Sequence, residues 1–146
     1  FYEDGTENPE KLGHGATEGK HEKIDHLMMD GKSVFLFAID IIPKCIEGIL
    51  KKTGERLEEI DHVVCHQANS RIIRNVVRHL KAEPGQFFED MELYGNTSGA
   101  SIPIALKDME EQGLLKTGEK LLLIGFGAGL TFGAVEIVYG KNTEKK

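Results

Sequence analysis

The stretch that decides the fold is residues 63–73, which read VVCHQANSRII. Its first three residues form an apolar run typical of the end of a buried strand. The apolar residues that follow recur at helical spacing and predict one buried helix face: Ile72, Ile73, Val76, Val77 and Leu80. The polar residues His66, Gln67 and Asn69 therefore fall on the turn between strand and helix. In an open α/β sheet this turn is the usual place for a ligand, so the stretch predicts a candidate site.

The same turn also has a purely structural interpretation. Asn69 or Ser70 is a suitable cap for the first N–H groups of the helix, and His66 would then be a surface imidazole. The stretch by itself favours neither interpretation. Other parts of the chain have to decide between them.

A long helix is predicted before this stretch. One apolar stripe runs along it, with three further apolar residues beside the stripe: Val34, Ala38, Ile41, Cys45 and Ile49, then Phe35, Ile42 and Ile46. The helix should extend from Ser33 to about Lys52 and end at Gly54. Pro43 lies inside it, and we expect a kink there because proline removes a helical hydrogen bond and its ring clashes with the preceding turn.

Shorter elements are predicted on the C-terminal side. They are, in order, strands at residues 61–65 and 87–93, a helix from Pro103 to Glu111 with Ser101 as its cap, and strands at 120–124 and 131–139. The last two strands are joined by GFGAG at residues 125–129, and so short a connection favours an antiparallel pair. We expect residues 1–30 to be mostly loop, with at most a short strand near Phe1 and Tyr2, and residues 141–146 to be a frayed charged tail.

Length and composition describe one soluble globular domain of 146 residues with a net charge of −6. That charge argues against general nucleic-acid binding, and no apolar run approaches the roughly 20 residues that span a bilayer. The first residues are acidic rather than basic and apolar, so we expect a cytoplasmic protein. The two cysteines, Cys45 and Cys65, suit reduced buried thiols, and the six histidines do not have the spacing of metal ligands.

One face of the helix after residue 69 is basic. Arg71, Arg74 and Arg78 are three and four residues apart and should emerge along one side. Such a stripe is often only a solvated surface. Because it begins two residues after the candidate site on an otherwise acidic chain, it favours an anionic partner such as coenzyme A or an acidic carrier protein.

Three motifs in the order HQAN (residues 66–69), YGNTSGASIP (94–103) and GFGAGLTFG (125–133) resemble the carboxy-terminal half of ketoacyl synthase III enzymes. Those enzymes start fatty-acid chains and belong to the thiolase-like condensing enzymes. The resemblance covers about residues 29–139, and its specificity comes from the agreement of three motifs in order and spacing. It implies that residues 1–146 are a carboxy-terminal domain, half of a thiolase-like pair. The implied fold is a five-stranded mixed sheet covered by helices, with the last strand antiparallel.

The resemblance also implies roles for particular residues. His66 and Asn96 match the pair whose neutral N–H donors stabilise the enolate formed when a malonyl thioester loses carbon dioxide. A free imidazole has a pKa near 6.5, so mild burial would keep His66 neutral at pH 7. The backbone N–H of Ala128 matches an oxyanion donor, in a segment whose glycines, including Gly127, permit positive φ. Phe126 would lie against the malonyl group and help to exclude water.

Substrate and partner contacts follow from the same match. Asn69 and Arg71 correspond to positions that contact the pantetheine arm and the acyl carrier protein, and Phe35 is expected to line the substrate channel. Arg74, on the basic helix face, is expected to contact the same partner. The substrates would be carried on coenzyme A and on the phosphopantetheine of acyl carrier protein, with no permanently bound cofactor or metal. The full-length enzyme would be a homodimer.

The acyl-accepting cysteine of these enzymes lies in the amino-terminal half, which this sequence does not contain. Consecutive strand residues point to opposite faces, so Cys65 should face the core while His66 faces the site, and Cys45 belongs to the helix stripe. We therefore expect the isolated chain to be inactive. Two alternatives remain open: another thiolase-like synthase, of the polyketide or hydroxymethylglutaryl type, and a noncatalytic module that binds acyl carrier protein.

Overall fold

The computed structural model describes residues 29–83 and 85–140, and its elements confirm the α/β class. They are helix α1 (Gly31–Thr53), strand β1 (His62–Cys65), helix α2 (Ser70–Leu80), short helix α3 (Met91–Tyr94), helix α4 (Ser101–Glu111), strand β2 (Lys120–Gly127) and strand β3 (Thr131–Val138). Two 3-10 turns, at Leu57–Glu59 and Ser98–Ala100, precede β1 and α4.

Helix α1 has clear reasons to begin and end where it does. The Asp30 carboxylate accepts hydrogen bonds from the backbone N–H groups of Lys32 and Ser33, at 3.1 and 3.2 Å. At the other end Gly54 takes the left-handed conformation, with φ of 78°, as expected for a glycine stop. The helix continues through the buried Pro43 for 23 residues in all. No helix in the described part of the chain is both long and apolar enough to cross a membrane.

The sheet has the order β1-β2-β3 within the described residues. β1 pairs with β2 in parallel, with Cys65 opposite Ile124, and β2 pairs with β3 antiparallel. The antiparallel pair is thus confirmed, but the expected turn at residues 125–129 is wrong. Gly125 and Gly127 still belong to β2, because their backbones pair opposite Gly133 and Thr131. The turn itself is residues 128–130.

The described residues form three strands, so the expected five are not confirmed. Residues 87–93 were predicted to be a strand, but they contribute only an isolated bridge between Phe87 and Val63. The Val63 N–H donates to the Gln86 carbonyl at 2.8 Å, and the Phe88 N–H donates to the Val63 carbonyl at 3.1 Å. Beyond this point the chain turns into α3. The short strand expected near Phe1 and Tyr2, the remainder of the loop expected up to residue 28, and the tail at 141–146 lie outside the described residues.

Helices cover both faces of the sheet. On one face, Val63 and Cys65 of β1 and Leu122 and Ile124 of β2 form a core with residues of α1 and α2. On the other face, Val64 packs with Ala105 and Met109 of α4, and Leu123 packs beside them. This alternation has period two, as strand geometry requires. It directs the residue after Cys65, which is His66, toward α4.

Candidate active site

His66 lies directly after β1 and is held by three elements. Its backbone N–H donates to the Ile124 carbonyl of β2 at 2.8 Å, which extends the ladder by one residue. Its Nδ1 lies 2.6 Å from the Oγ of Ser101, the first residue of α4. Its ring meets the Phe126 ring edge-on, with the centroids 5.2 Å apart. The imidazole therefore has a defined position, as a reacting group needs.

The surroundings of His66 favour its neutral form. Partial burial lowers the pKa of the imidazole below its usual 6.5, because desolvation disfavours the charged ring. At pH 7 the side chain is then mainly a neutral imidazole with one N–H donor and one acceptor nitrogen. His66 is half-buried between Ser101 and Phe126, which does not fit the interpretation of a surface imidazole.

Ser101 does not have the expected role of helix cap. The residue before α4 is Ala100, which makes no side-chain cap bond, and the 3-10 turn at Ser98–Ala100 continues straight into the helix. Ser101 is instead only 2% exposed. Besides its contact with His66, its Oγ accepts a hydrogen bond from the Gln67 N–H at 3.3 Å. Ser101 thus connects the start of α4 to the turn after β1.

Gln67 is fully buried and joins the end of β1 to the segment that leads to Asn96. Its Nε2 donates to the carbonyls of Cys65 and Phe88, at 3.0 and 3.2 Å. Its Oε1 accepts from the Asp90 N–H at 3.4 Å. Both ends of the amide are therefore bonded to backbone, which fixes two chain segments relative to each other.

Asn96 lies in the loop between α3 and α4, five residues before Ser101. Its side chain is oriented by one hydrogen bond, in which Oδ1 accepts from the Ser98 N–H at 2.9 Å. Within the described residues its NH2 group has no hydrogen-bond partner, and the residue is exposed. The amide can therefore donate to a ligand.

The glycine-rich segment differs in part from the expectation. Phe126 is 8% exposed and lies against His66, whereas the exposed Ala128 begins the turn after β2. Positive φ occurs in this segment at Gly129, with 133°, and not at Ala128, Gly125 or Gly127. A Cβ at Gly129 would lie 2.7 Å from the Thr131 Cγ2, so glycine is needed there for space as well as for conformation.

The expected carrier-binding residues lie along α2 and α1. Asn69 caps α2, since its side chain accepts from the Arg71 N–H at 2.9 Å, so the structural interpretation is right for this residue. The three arginines are exposed on one side of α2. The Nε of Arg74 is 3.6 Å from the Glu89 carboxylate, and its Nη2 is 3.8 Å from the Glu92 carboxylate. Phe35 is half-buried against the core.

Comparison with known proteins shows what this arrangement resembles. A family model described as 3-Oxoacyl-[acyl-carrier-protein (ACP)] synthase III C terminal matches residues 50–139. The chain belongs to this family. The beta-ketoacyl-[acyl-carrier-protein] synthase III of Clostridium novyi is 49% identical over 115 residues, which are 79% of this chain and 36% of that protein. The synthase III domain described here therefore spans little more than a third of this relative's length.

Solved synthase III structures have the same fold. The Thermus thermophilus enzyme is 38% identical, with a TM-score of 0.76 over 79% of this chain and 36% of that one. The Pseudomonas aeruginosa enzyme is 35% identical, with a TM-score of 0.77 over 84% and 39% of the two chains. The thiolase-like half expected from the motifs is thus supported by structure as well as by sequence.

The cysteines of this synthase III domain are both free and buried. Burial raises the pKa of Cys65 to about 12, and it also raises the pKa of Cys45. Cys65 belongs to the core formed with α1 and α2, while His66 bonds to α4, so the two do not form a Cys-His dyad. In the described part of the domain, no group of three or more His, Cys, Asp or Glu side chains could hold a metal ion.

Sequence reasoning missed Ser101 as a member of the site, and it placed Gln67 on the site turn without its distant partners Phe88 and Asp90. A signal for Ser101 exists: the residues before it, SGA, can themselves begin a helical turn, so its hydroxyl is not needed as a cap. Gln67 stands inside the HQAN motif, yet nothing in the motif says that its partners lie beyond residue 87.

Proposed function

We propose that this chain is the carboxy-terminal catalytic domain of an acyltransferase that starts fatty-acid chains. The reaction is the decarboxylative Claisen condensation of an acyl-coenzyme A primer with malonyl-acyl carrier protein. The observation that carries the proposal is the neutral imidazole of His66, held between Ser101 and Phe126 at the end of β1 in a synthase III domain. The amino-terminal half would supply the cysteine that accepts the acyl group.

The difficult step is the formation of the carbanion. The bond between the malonyl carboxylate and the α-carbon breaks, carbon dioxide leaves, and the electron pair delocalises onto the thioester oxygen. We assign the neutral N–H of His66 and the amide NH2 of Asn96 as donors to this oxygen. Neutral donors stabilise the developing negative charge through preorganised dipoles, and they place no cation beside the enolate.

The carbon–carbon bond then forms by attack of this carbanion on the acyl-enzyme carbonyl, and the cysteine thiolate leaves. We assign the backbone N–H of Ala128 to the tetrahedral oxyanion of this step, with Gly127 beside it. Phe126 would exclude water from the malonyl group, because its buried ring already covers one edge of His66.

The partner surface we propose follows α2. Arg71 and Arg78 are exposed and make no ion pair within the described residues, whereas the charge of Arg74 is shared with two glutamates. A cleft of about 350 Å³, lined by Arg74 and Arg78 among others, lies between α2 and Phe87. Asn69 and Phe35 would contact the pantetheine arm, and the full-length enzyme would be a homodimer.

The test separates acyl transfer from decarboxylation in the full-length polypeptide. In His66→Ala and Asn96→Ala, acyl-enzyme formation should continue, while carbon dioxide release should fall by about a hundred- to a thousandfold in each. The double variant should lose less than the product of the single losses, because both donors act on one charge. His79→Ala and Asn75→Ala, both on α2, are the matched controls and should keep the parental rate. Parental carbon dioxide release in a folded His66→Ala enzyme would contradict the role assigned to His66 and with it the proposal.

A further inference from the structure

The contact between Ser101 and His66 carries a consequence for the proton on the imidazole. We propose that Ser101 is a positioning residue that holds His66 as the tautomer protonated on Nε2. The catalytic part of this inference rests on the proposed function, since it decides which nitrogen can donate to the enolate. The tautomer itself is a property of this chain alone.

The hydrogen bonds around the Ser101 hydroxyl show where its proton points. A hydroxyl has one donor hydrogen and two acceptor lone pairs. The Gln67 backbone N–H, 3.3 Å away, can only donate, so it takes one lone pair of Oγ. Among the described residues, the one other hydrogen bond of Oγ is to the His66 Nδ1, at 2.6 Å. The hydroxyl hydrogen therefore has one protein acceptor, and it is Nδ1.

Burial of Ser101 disfavours the opposite arrangement, in which Nδ1 donates to Oγ. Ser101 is 2% exposed, so water does not offer its hydrogen a ready alternative. If Nδ1 carried the imidazole proton, Oγ would accept twice and its own hydrogen would lie buried without a partner. An unsatisfied buried donor is costly enough to shift an equilibrium by on the order of tenfold. The neutral ring is thus held with Nδ1 as acceptor and Nε2 as donor.

The remaining nitrogen is placed to be used. Within the described residues Nε2 of His66 makes no hydrogen bond, so its N–H is available to a ligand oxygen. Gln67 contributes to the same arrangement in two ways. Its backbone N–H donates to the Oγ of Ser101. Its buried side chain donates to the Phe88 carbonyl at 3.2 Å and so anchors the turn. One serine hydroxyl thereby fixes both the ring position and the proton position of His66.

The tautomer can be measured without any activity. The chain is labelled with 15N-histidine, and long-range 1H–15N spectra are recorded at pH 8, with the His66 signals assigned by their loss in His66→Gln. We expect Nε2 to show the shift of a protonated nitrogen and Nδ1 that of an acceptor. In Ser101→Ala the fraction protonated on Nδ1 should rise several-fold. Ser101→Thr keeps the hydroxyl and should restore the parental spectrum, and Ser70→Ala, also at a helix start, should leave it unchanged.

A parental ring protonated on Nδ1 would overturn the inference, as would a folded Ser101→Ala chain with an unchanged His66 spectrum. So would a folded Ser101→Thr chain that behaves like Ser101→Ala. In the full-length enzyme, Ser101→Ala should lower kcat for carbon dioxide release by about tenfold with little change in KM. If the spectra respond as expected but His66→Ala releases carbon dioxide normally, the proposed function fails and the tautomer assignment stands. If His66 is required for carbon dioxide release but the spectra do not respond to Ser101→Ala, the proposed function stands and the tautomer inference fails.

Discussion

Asp90 is a buried carboxylate whose surroundings oppose its charge. It is 5% exposed, and its Oδ2 has no hydrogen-bond partner. Burial raises the pKa of Asp90 above its ordinary 3.8, and the nearby charge of Asp108 raises it further. The Asp108 carboxylate also has one buried oxygen, Oδ2, without a partner. Two acids therefore repel each other at the start of α3.

Replacing Asp90 by Asn should stabilise the fold at neutral pH. The folded parent binds a proton more tightly than the unfolded chain, so its stability falls as the pH rises from 3.8 through the raised pKa. The variant lacks this loss and offers an amide donor in place of an unpartnered oxygen. We expect a gain of about 1 kcal/mol at pH 7 and a smaller one at pH 4. Urea unfolding at both pH values measures it.

Asp40→Asn is the matched control for this measurement, because Asp40 is exposed and pairs with Lys44 one turn along α1. It should change stability by no more than about 0.5 kcal/mol. If the gain in stability of Asp90→Asn is the same at both pH values, the charge of Asp90 does not destabilise the fold and the prediction is wrong.

At the scale of an element, α2 combines a core face with the proposed docking face. Ile72, Ile73 and Val76 are buried, while the arginines project on the other side. The sequence predicted that three arginines emerge along one side of this helix; of the three, Arg71 and Arg78 make no ion pair in the described part of the chain. Arg74 is 61% exposed at its side chain and already lies near Glu89 and Glu92.

Neutralising the arginines one at a time should therefore give unequal effects. Arg71→Gln and Arg78→Gln should each weaken acyl carrier protein binding by up to about fivefold at low salt, as expected for exposed charges. Arg74→Gln should weaken it less, because its charge is partly balanced. The loss of affinity in each of the three variants should be smaller at high ionic strength. Titrations of the carrier protein at two salt concentrations measure this.

The control for the arginine series is Lys107→Gln, which removes an exposed charge on α4 that lies near Glu110 and Glu111. It should leave the affinity unchanged. Equal losses for all three arginines would mean that the ion pairs of Arg74 open on binding. Unchanged affinity in all three would remove α2 from the docking surface.

For the whole molecule, the decisive fact is that the chain spans 36% of the length of its Clostridium novyi relative. Within that span neither cysteine is accessible to a thioester. With a pKa of about 12, roughly one Cys65 in ten thousand is a thiolate at pH 8. A chain of this kind can hold the proposed donors, but both of its cysteines are buried.

The isolated chain should therefore neither accept an acyl group from acyl-coenzyme A nor condense it with a malonyl thioester. Mass spectrometry of the folded chain after incubation should show no acyl adduct. Iodoacetamide in denaturant should label both Cys45 and Cys65, which confirms that the thiols are free and that only burial protects them. Stoichiometric acylation of either residue in the folded chain would contradict this prediction.

The sequence by itself determined the elements whose signal is local. The apolar periods of α1 and α2, the glycine stop at Gly54 and the alternation that separates Cys65 from His66 are all patterns within a few neighbouring residues, and the structure confirms them. Tertiary structure alone decided the partners that lie far apart in the chain. The Ser101 hydroxyl meets a ring 35 residues away, Gln67 bonds to residues 88 and 90, and Arg74 lies near Glu89. A short polar side chain can satisfy its hydrogen bonds locally or across the fold. For Ser101, the packing of α4 against β1 brings His66 close enough for a hydrogen bond across the fold.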